Sequence, residues 1–284
     1  MSSWVVEGEE QGDRLGCFIQ RKLLASCSAR EVKRLLEANG CKVNGVIERF
    51  ASRRLVKGQR VEWLTPQQTP PQAVCEAAIL FEDESFILCD KPPHMNCDEE
   101  GVLSLFPAAT LVHRLDRETS GLLLLAKERQ AALSFQEQFK DRTIQKTYLA
   151  LVDGVPKERK GEHTCYIGRQ EGRDGYPRWA LVGPRLGKRA EMRWEREKHG
   201  NGAALLRCYP HSGRTHQIRL QLQGMGHPIL GDYRYTQRFK SEYLPKRTLL
   251  HAYELTFSHP MTKKSMHFVA PIPKDFKETI KSFR

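Results

Sequence analysis

The chain has 284 residues, of which 39% are apolar and 28% charged, with a formal net charge of +12. The length suggests about two domains, and the apolar content is enough for a packed core. No run of about 18 apolar residues occurs, which excludes a membrane-spanning helix. Met1 to Asp13 lacks the basic start and apolar centre of a signal peptide, so the chain is expected to stay in the cytoplasm.

Eight cysteines are scattered through the chain, none in Cys-x-x-Cys spacing. Cys208-x-x-His211, with His216 beyond, is the nearest approach to metal-ligand spacing, and it is weak. Free thiols in a reducing compartment are the simpler reading, and no metal or cofactor is expected. The basic excess is concentrated. Arg14 to Trp63 holds twelve Lys/Arg against four Asp/Glu, a net +8. Such a cluster suits a polyanion. No amphipathic helix with exposed bulky apolar residues accompanies it, which argues against an anionic membrane.

In chain order, Met1 to Gly12 reads as a disordered tail. From Arg14, Leu15, Phe18, Ile19 and Leu23 follow helical spacing. Ser28-Ala-Arg-Glu31 is a capping box, typically worth ~1 kcal/mol. It opens a second helix with Val32, Leu35 and Leu36 on its apolar face, ended by Asn39-Gly40. Asn44-Gly45 between short apolar segments marks a hairpin, and Gln59 to Leu64 reads as a strand. Residues 13–64 thus form a first domain. The order helix, helix, hairpin, strand resembles the alpha-L RNA-binding motif of a small-subunit ribosomal protein. The resemblance implies that Arg30, Lys33, Arg34 and Lys42 face RNA phosphates. A basic structural domain is the blander reading. Residues 65–73, rich in proline, read as a semi-rigid linker to a second domain spanning 74–284.

That domain opens with a hairpin, Ala78 to Phe81 and Phe86 to Cys89, around the acidic turn Glu82-Asp83-Glu84. Asp90-Lys91-Pro92-Pro93 stops the pairing. The stretch Leu111 to Lys127 follows. Asp116 sits there between Arg114 and Arg117, ahead of Thr119-Ser120-Gly121 and an apolar run, Leu122 to Ala126, that reads as a strand buried on both faces. A carboxylate on a loop held by a buried strand is well placed for chemistry. An isolated Asp would read as surface charge, but the order of the string is specific. His113-Arg-Leu-Asp-x-x-Thr-Ser-Gly-Leu-Leu-Leu-x-Ala-Lys127 resembles the signature of the RluA-type pseudouridine synthases, and in that family the Asp is the nucleophile. Lys91-Pro92 fits the same family, with His94 where a glycine is common.

Glu128 to Lys140 reads as a helix and Ile144 to Val152 as a strand. Alternation puts Lys146 and Tyr148 on the face opposite Leu149 and Leu151. Lys146-x-Tyr148-x-Ala150 resembles the family's second motif, which places the Tyr against the target base. Arg159 to Arg189 is poorly patterned and reads as loops with short strands near RNA. Gly183 to Arg189 is one residue short of a phosphate loop and lacks its Ser/Thr, so a nucleoside triphosphate site is rejected. Ala190 to Glu195 and Ala203 to Tyr209 read as strands. For Ile218 to Leu222 the pattern favours a strand, while a short helix capped by Thr215 and ended by Gly224 remains open. Gly213-Arg214-Thr-His-Gln-Ile-Arg219 resembles the family's third motif. It implies a helix, with Arg219 paired to the catalytic Asp. Gln221 stands where the family often has His. Asp232 reads as a turn former. Leu249-Leu250-His-Ala252 resembles an element whose Leu, here Leu250, packs on the flipped base, although core packing explains it equally. The chain closes with two strands around His259 to Lys264.

The resemblance implies an α+β catalytic domain with a mixed, largely antiparallel sheet and a basic cleft. It implies an RNA uridine-to-pseudouridine isomerase needing no cofactor. Asp116, Tyr148 and Arg219 would be catalytic, and His113, Arg114, Lys146, Arg214 and Leu250 would bind substrate. Arg114 would fill the gap left by a flipped base. Ribosomal RNA of the large subunit is the expected substrate ahead of tRNA, with the protein acting as a monomer without a protein partner. Two alternatives are a non-catalytic RNA-binding or ribosome-assembly protein of the same fold, and a base-excising glycosylase with Glu118 as a second carboxylate.

Overall fold

The computed structural model describes residues 2–37, 40–64, 77–171, 177–236, 239–243 and 245–283. Asn39 and the predicted linker at 65–73 lie outside them. The chain divides into two units. One is built on Met1–Ala73 and also counts Glu171–Arg178 and Thr236–Arg238; the other holds Val74–Gln170, Trp179–Tyr235 and Phe239–Arg284.

The first unit begins with a strand, not with the tail its acidity suggested. β1 (Ser2–Val5) pairs antiparallel with the last strand of the unit, Trp4 opposite Val61. Trp4 meets Phe18 edge-on and Val6 is buried. Burial of Trp4 and Val6 thus outweighs the acids that follow. α1 (Leu15–Lys22) buries Leu15, Phe18 and Ile19, while Leu23 lies beyond its end and is exposed. At α2 (Ala29–Glu37) the capping box is made in both directions. The Ser28 N–H donates to Glu31 Oε2 at 2.7 Å, and the Glu31 N–H to Ser28 Oγ at 3.3 Å. β2 (Cys41–Val43) and β3 (Val46–Ile47) flank Asn44 and Gly45, both at positive φ, as a two-residue hairpin requires. β4 (Arg60–Trp63) completes a sheet of order β1-β4-β2-β3.

In the second unit, β5 (Ala78–Glu82) and β6 (Phe86–Lys91) form the expected hairpin. A single turn, α3 (Val102–Leu105), and β7 (Thr110–Leu111) lead to β8 (Ser120–Ala126), where every residue is buried. α4 (Arg129–Lys140) and β9 (Gln145–Asp153) follow as predicted. Arg159 to Arg189 is not mainly loop. β10 (Lys160–Glu171) is a twelve-residue strand, followed by β11 (Pro177–Leu181). Its buried face carries few apolar residues, Ile167 chief among them, so the alternation is hard to see in the sequence. β12 (Lys188–Gly200) runs well past the predicted end and bulges between Arg196 and Lys198 before β13 (Ala203–Pro210).

α5 (Gln217–Gly224) settles the strand-or-helix alternative as a helix. Thr215 is not its cap: His216 holds that position at φ 55 and makes no side-chain capping bond. β14 (Leu250–Ser258) and β15 (Ser265–Val269) are the two closing strands. A final helix, α6 (Lys274–Lys281), was not expected. Its apolar face is only Phe276 and Ile280, set in a charged sequence, with Pro273 before its first turn. The strands join in the order β11-β10-β12-β13-β9-β14-β8-β6-β5, with β15 on β14 and β7 on β8. The sheet is largely antiparallel, but β8 runs parallel to β14 where His251 meets Ser120. Gly121 is obligatory at that join. It has φ +109, and a Cβ there would lie 2.1 Å from the Ala252 carbonyl oxygen.

Candidate active site

The site lies in a long open cleft of the second unit, lined among others by Arg114, Asp116, Lys146, Tyr148, Arg214, Arg219 and Leu250. Asp116 stands on the turn that enters β8, and the Thr119 N–H closes that turn onto the Asp116 carbonyl at 3.0 Å. Because β8 is buried on both faces and paired on both sides, the turn is carried by the stiffest part of the sheet.

Arg219 comes from α5, whose residues 217 to 222 are all buried. Its Nη1 donates to Asp116 Oδ2 at 3.1 Å. Its Nε and Nη2 donate to the two oxygens of Asp232, at 2.7 and 2.8 Å. The guanidinium also lies over the Tyr235 ring, 5.1 Å from its centre. Burial would lower the pKa of Arg219, but the two carboxylates, Asp232 first, hold it raised and the group charged. The two partners differ in access. The Asp232 side chain is 2% exposed and that of Asp116 23%. Asp232 forms a turn, as its sequence suggested, and also fixes the plane of Arg219 by a bidentate pair. Only the sequence distance of thirteen residues hid that pairing.

Asp116 Oδ1 faces His216 Nε2 at 3.8 Å, and His216 Nδ1 is hydrogen-bonded to the Tyr235 hydroxyl. Burial holds the His216 pKa down to about 4, so the ring is neutral near pH 7. A neutral imidazole beside a carboxylate favours the tautomer with the proton on Nε2, leaving Nδ1 to accept from Tyr235. His216 adopts left-handed backbone without being glycine, a form of strain that clusters at functional sites. Apart from the weak metal-ligand spacing, nothing in the sequence marks His216.

Tyr148 and Lys146 project from β9 into the same cleft, as alternation predicted. Burial first, and then the charge of Asp116, push the Tyr148 phenol up. The Lys146 amine is held down to about 8 by burial and donates to the Ser212 carbonyl at 3.4 Å. Leu250, 4% exposed, is both core and cleft wall. Arg114 is exposed, and Arg214 donates to the Arg189 carbonyl. His113, expected to bind substrate, lines the cleft and also holds the sheet. Its Nε2 accepts the Leu124 N–H at 3.0 Å and its ring lies on Phe139, so it braces β8. Glu118, the candidate second carboxylate, accepts from the Thr248 N–H and hydroxyl at 2.9 and 2.6 Å. Cys208, on β13, is buried in the core. In the first unit, Arg30, Lys33 and Arg34 are exposed on α2, and Lys42 is half-exposed on β2.

Residues 85–224 match the family model described as RNA pseudouridylate synthase. The chain is 36% identical over 225 residues to ribosomal large subunit pseudouridine synthase C of Pasteurella multocida, covering 74% of this chain and 68% of that one. It is 32% identical over 314 residues to the protein of the same name from Salmonella typhi, covering 98% and 95%. Among solved structures, human RNA pseudouridylate synthase domain containing 1 superposes with a TM-score of 0.63 at 28% identity, over 72% of this chain and 86% of that one. The motifs around Asp116, Tyr148 and Arg219 therefore stand in a chain that belongs to the RluA-type RNA pseudouridine synthases.

Proposed function

We propose that the protein isomerises specific uridines of large-subunit ribosomal RNA to pseudouridine, with Asp116 as nucleophile, Arg219 as its positioning cation and Tyr148 against the base. One observation carries this reading: a half-open carboxylate in a cleft, held on one oxygen by a buried arginine that a second, closed carboxylate keeps in place. The relatives named above supply the substrate class, since their names specify the large ribosomal subunit.

In the reaction, the bond from sugar carbon 1′ to uracil nitrogen 1 breaks, the base turns, and carbon 1′ joins ring carbon 5. Carbon 5 loses its proton and nitrogen 1 gains one, so the change is redox-neutral. Positive charge develops on the sugar as the first bond breaks, and a carboxylate stabilises it, as in glycosidases. Asp116 attacks carbon 1′ or ring carbon 6, or removes a sugar proton. Arg219 holds the Asp116 carboxylate in place for each route through its Nη1 hydrogen bond. The Tyr148 phenol, pushed up by its burial, stays protonated and can donate to a departing base. The target base must leave its stack, at a cost of a few kcal/mol. Arg114 fills the gap, and phosphate contacts from Arg30, Lys33, Arg34 and Lys42 help to offset the cost. The protein acts in the cytoplasm, as a monomer.

The test is tritium release from RNA labelled at uracil carbon 5, with separate ribosomal and transfer RNA pools, for the wild type and Asp116→Asn. Release from ribosomal RNA that vanishes in Asp116→Asn is the expected result. Release from the tRNA pool alone would move the substrate, and free uracil would mark a glycosylase. Tight binding without release would mark a non-catalytic RNA-binding protein.

A further inference from the structure

Two consecutive carbonyls of the Asp116 turn, those of Arg117 and Glu118, point inward, and each meets a buried cation. Lys91 Nζ donates to the Arg117 oxygen at 3.3 Å, and also to the Pro92 and Met95 oxygens at 2.9 Å each. Arg247 Nη1 donates to the Glu118 oxygen at 3.3 Å. The same nitrogen reaches the Thr248 and Leu250 carbonyls, at 3.2 and 3.4 Å. Arg247 is 3% exposed. A guanidinium buried that deeply needs a counter-ion, and the carboxylate it forks onto lies on the last helix. Its Nε and Nη2 form a fork with Asp275, at 2.6 and 2.9 Å. The next residue, Phe276, lies under the guanidinium at 5.5 Å.

We propose that Arg247 and Asp275 are positioning residues for the reaction, through which the C-terminal helix α6 sets the place of the Asp116 turn and of Leu250. The fork with Asp275 fixes the guanidinium plane, and only then does its remaining edge aim at the Glu118 and Leu250 carbonyls. Glu118 tightens the same join from the other side, because its carboxylate takes both donors of Thr248. Both cleft elements, the turn bearing Asp116 and the first residue of β14, are thus referred to one side chain. A lysine at 247 would keep the charge but could not hold the fork and the carbonyls together. Reacting groups misplaced by about 1 Å lose on the order of a hundredfold in rate, so a loosened clamp acts on turnover before it acts on RNA affinity.

The proposal rests on Asp116 as the nucleophile, and one assay separates the two. Asp275→Asn and Arg247→Lys are compared with wild type and Asp116→Asn by tritium release, at a temperature where circular dichroism shows each to be folded. Phe135→Leu, on α4 in the core that α4 shares with β8 and β14 but away from Arg247 and Asp275, is the control for lost stability. The expected result is a loss of at least tenfold in kcat for both clamp variants, with KM within about twofold and kcat retained in the control. Either clamp variant, if folded, decides the point. Unchanged kcat, an equal rise in KM, or the same loss in the control would overturn the clamp. Release that persists in Asp116→Asn would instead overturn the reading of the nucleophile.

Discussion

Basic residues are placed in opposite ways in the two units of this protein. On α2, Arg30, Lys33 and Arg34 are exposed and lie at spacings of three and four residues, along one face. In the second unit, Lys91, Arg219 and Arg247 are each less than a tenth exposed, and each is saturated with carbonyl or carboxylate partners. Exposed cations are screened by salt and act at a distance. They offer affinity for a polyanion with little geometric demand. Buried cations are costly unless fully partnered, and once partnered they hold backbone and carboxylates in one arrangement. A net charge of +12 reports the first use and is blind to the second. The same residue type is therefore exposed and available to a polyanion in one unit, and buried to hold geometry in the other.

The contrast can be tested from the geometric side first. Asp116→Asn should lower turnover by a thousandfold or more, roughly the scale of losing a nucleophile, while RNA binding in a filter assay stays near wild type. Equal loss of both would join what this comparison separates. Arg219→Lys retains a buried charge but cannot reach Asp116 and both oxygens of Asp232. A kcat about a hundredfold lower with unchanged KM is expected, on the usual scale of a lost electrostatic positioning group; a rise in KM alone would make Arg219 a binding residue. The exposed set should behave in the reverse manner. Replacing Arg30, Lys33 and Arg34 with alanine should weaken RNA binding and reduce the slope of log affinity against log salt by about 2 to 3, with kcat at saturating RNA unchanged. An unaltered slope would remove the first unit from the RNA interface.

The smallest expected effect is on stability. Burial holds His113 and His251 down to about 3 and His216 to about 4, against an ordinary 6.5. Between pH 6.5 and about 4 the unfolded chain takes up protons that the folded one refuses. The unfolded state then binds more protons, so stability rises with pH across that window and is lost on acidification. Urea midpoints should fall steadily from pH 7 to pH 5. A flat profile would mean that these rings open to water before the protein unfolds.

Much of the fold was open to pattern. The capping box at Ser28, the Asn44-Gly45 turn and the unbroken apolar run of β8 are local devices. A few neighbouring residues carry the whole signal, because the physics is that of one turn or one strand. β1 and α6 escaped because their formation depends on a distant partner: β1 on the open edge of β4, and α6 on the pocket that takes Phe276. β10 escaped because a strand with one polar face and a sparsely apolar other face gives almost no alternation. Its neighbour β12 supplies the hydrogen bonds that hold it.

The candidate site divides along the same line. The residues themselves were legible in the sequence: order and alternation place Asp116 on a turn before a buried strand and Tyr148 opposite Leu149, whereas for Arg219 the pattern favours a strand and only the family resemblance implies the helix that carries it. Tertiary structure makes the contacts between them, of which the resemblance implies only the Arg219–Asp116 pair. It brought Arg219 to Asp116 across 103 positions and gave it Asp232 as a second partner. It turned His113 into a brace for β8 and placed His216 beside the carboxylate. It also referred the Asp116 turn to Asp275 through Arg247. Burial is what makes these contacts compulsory: a charge or imidazole out of water must find its partner, and only the closed fold says which partner is within reach.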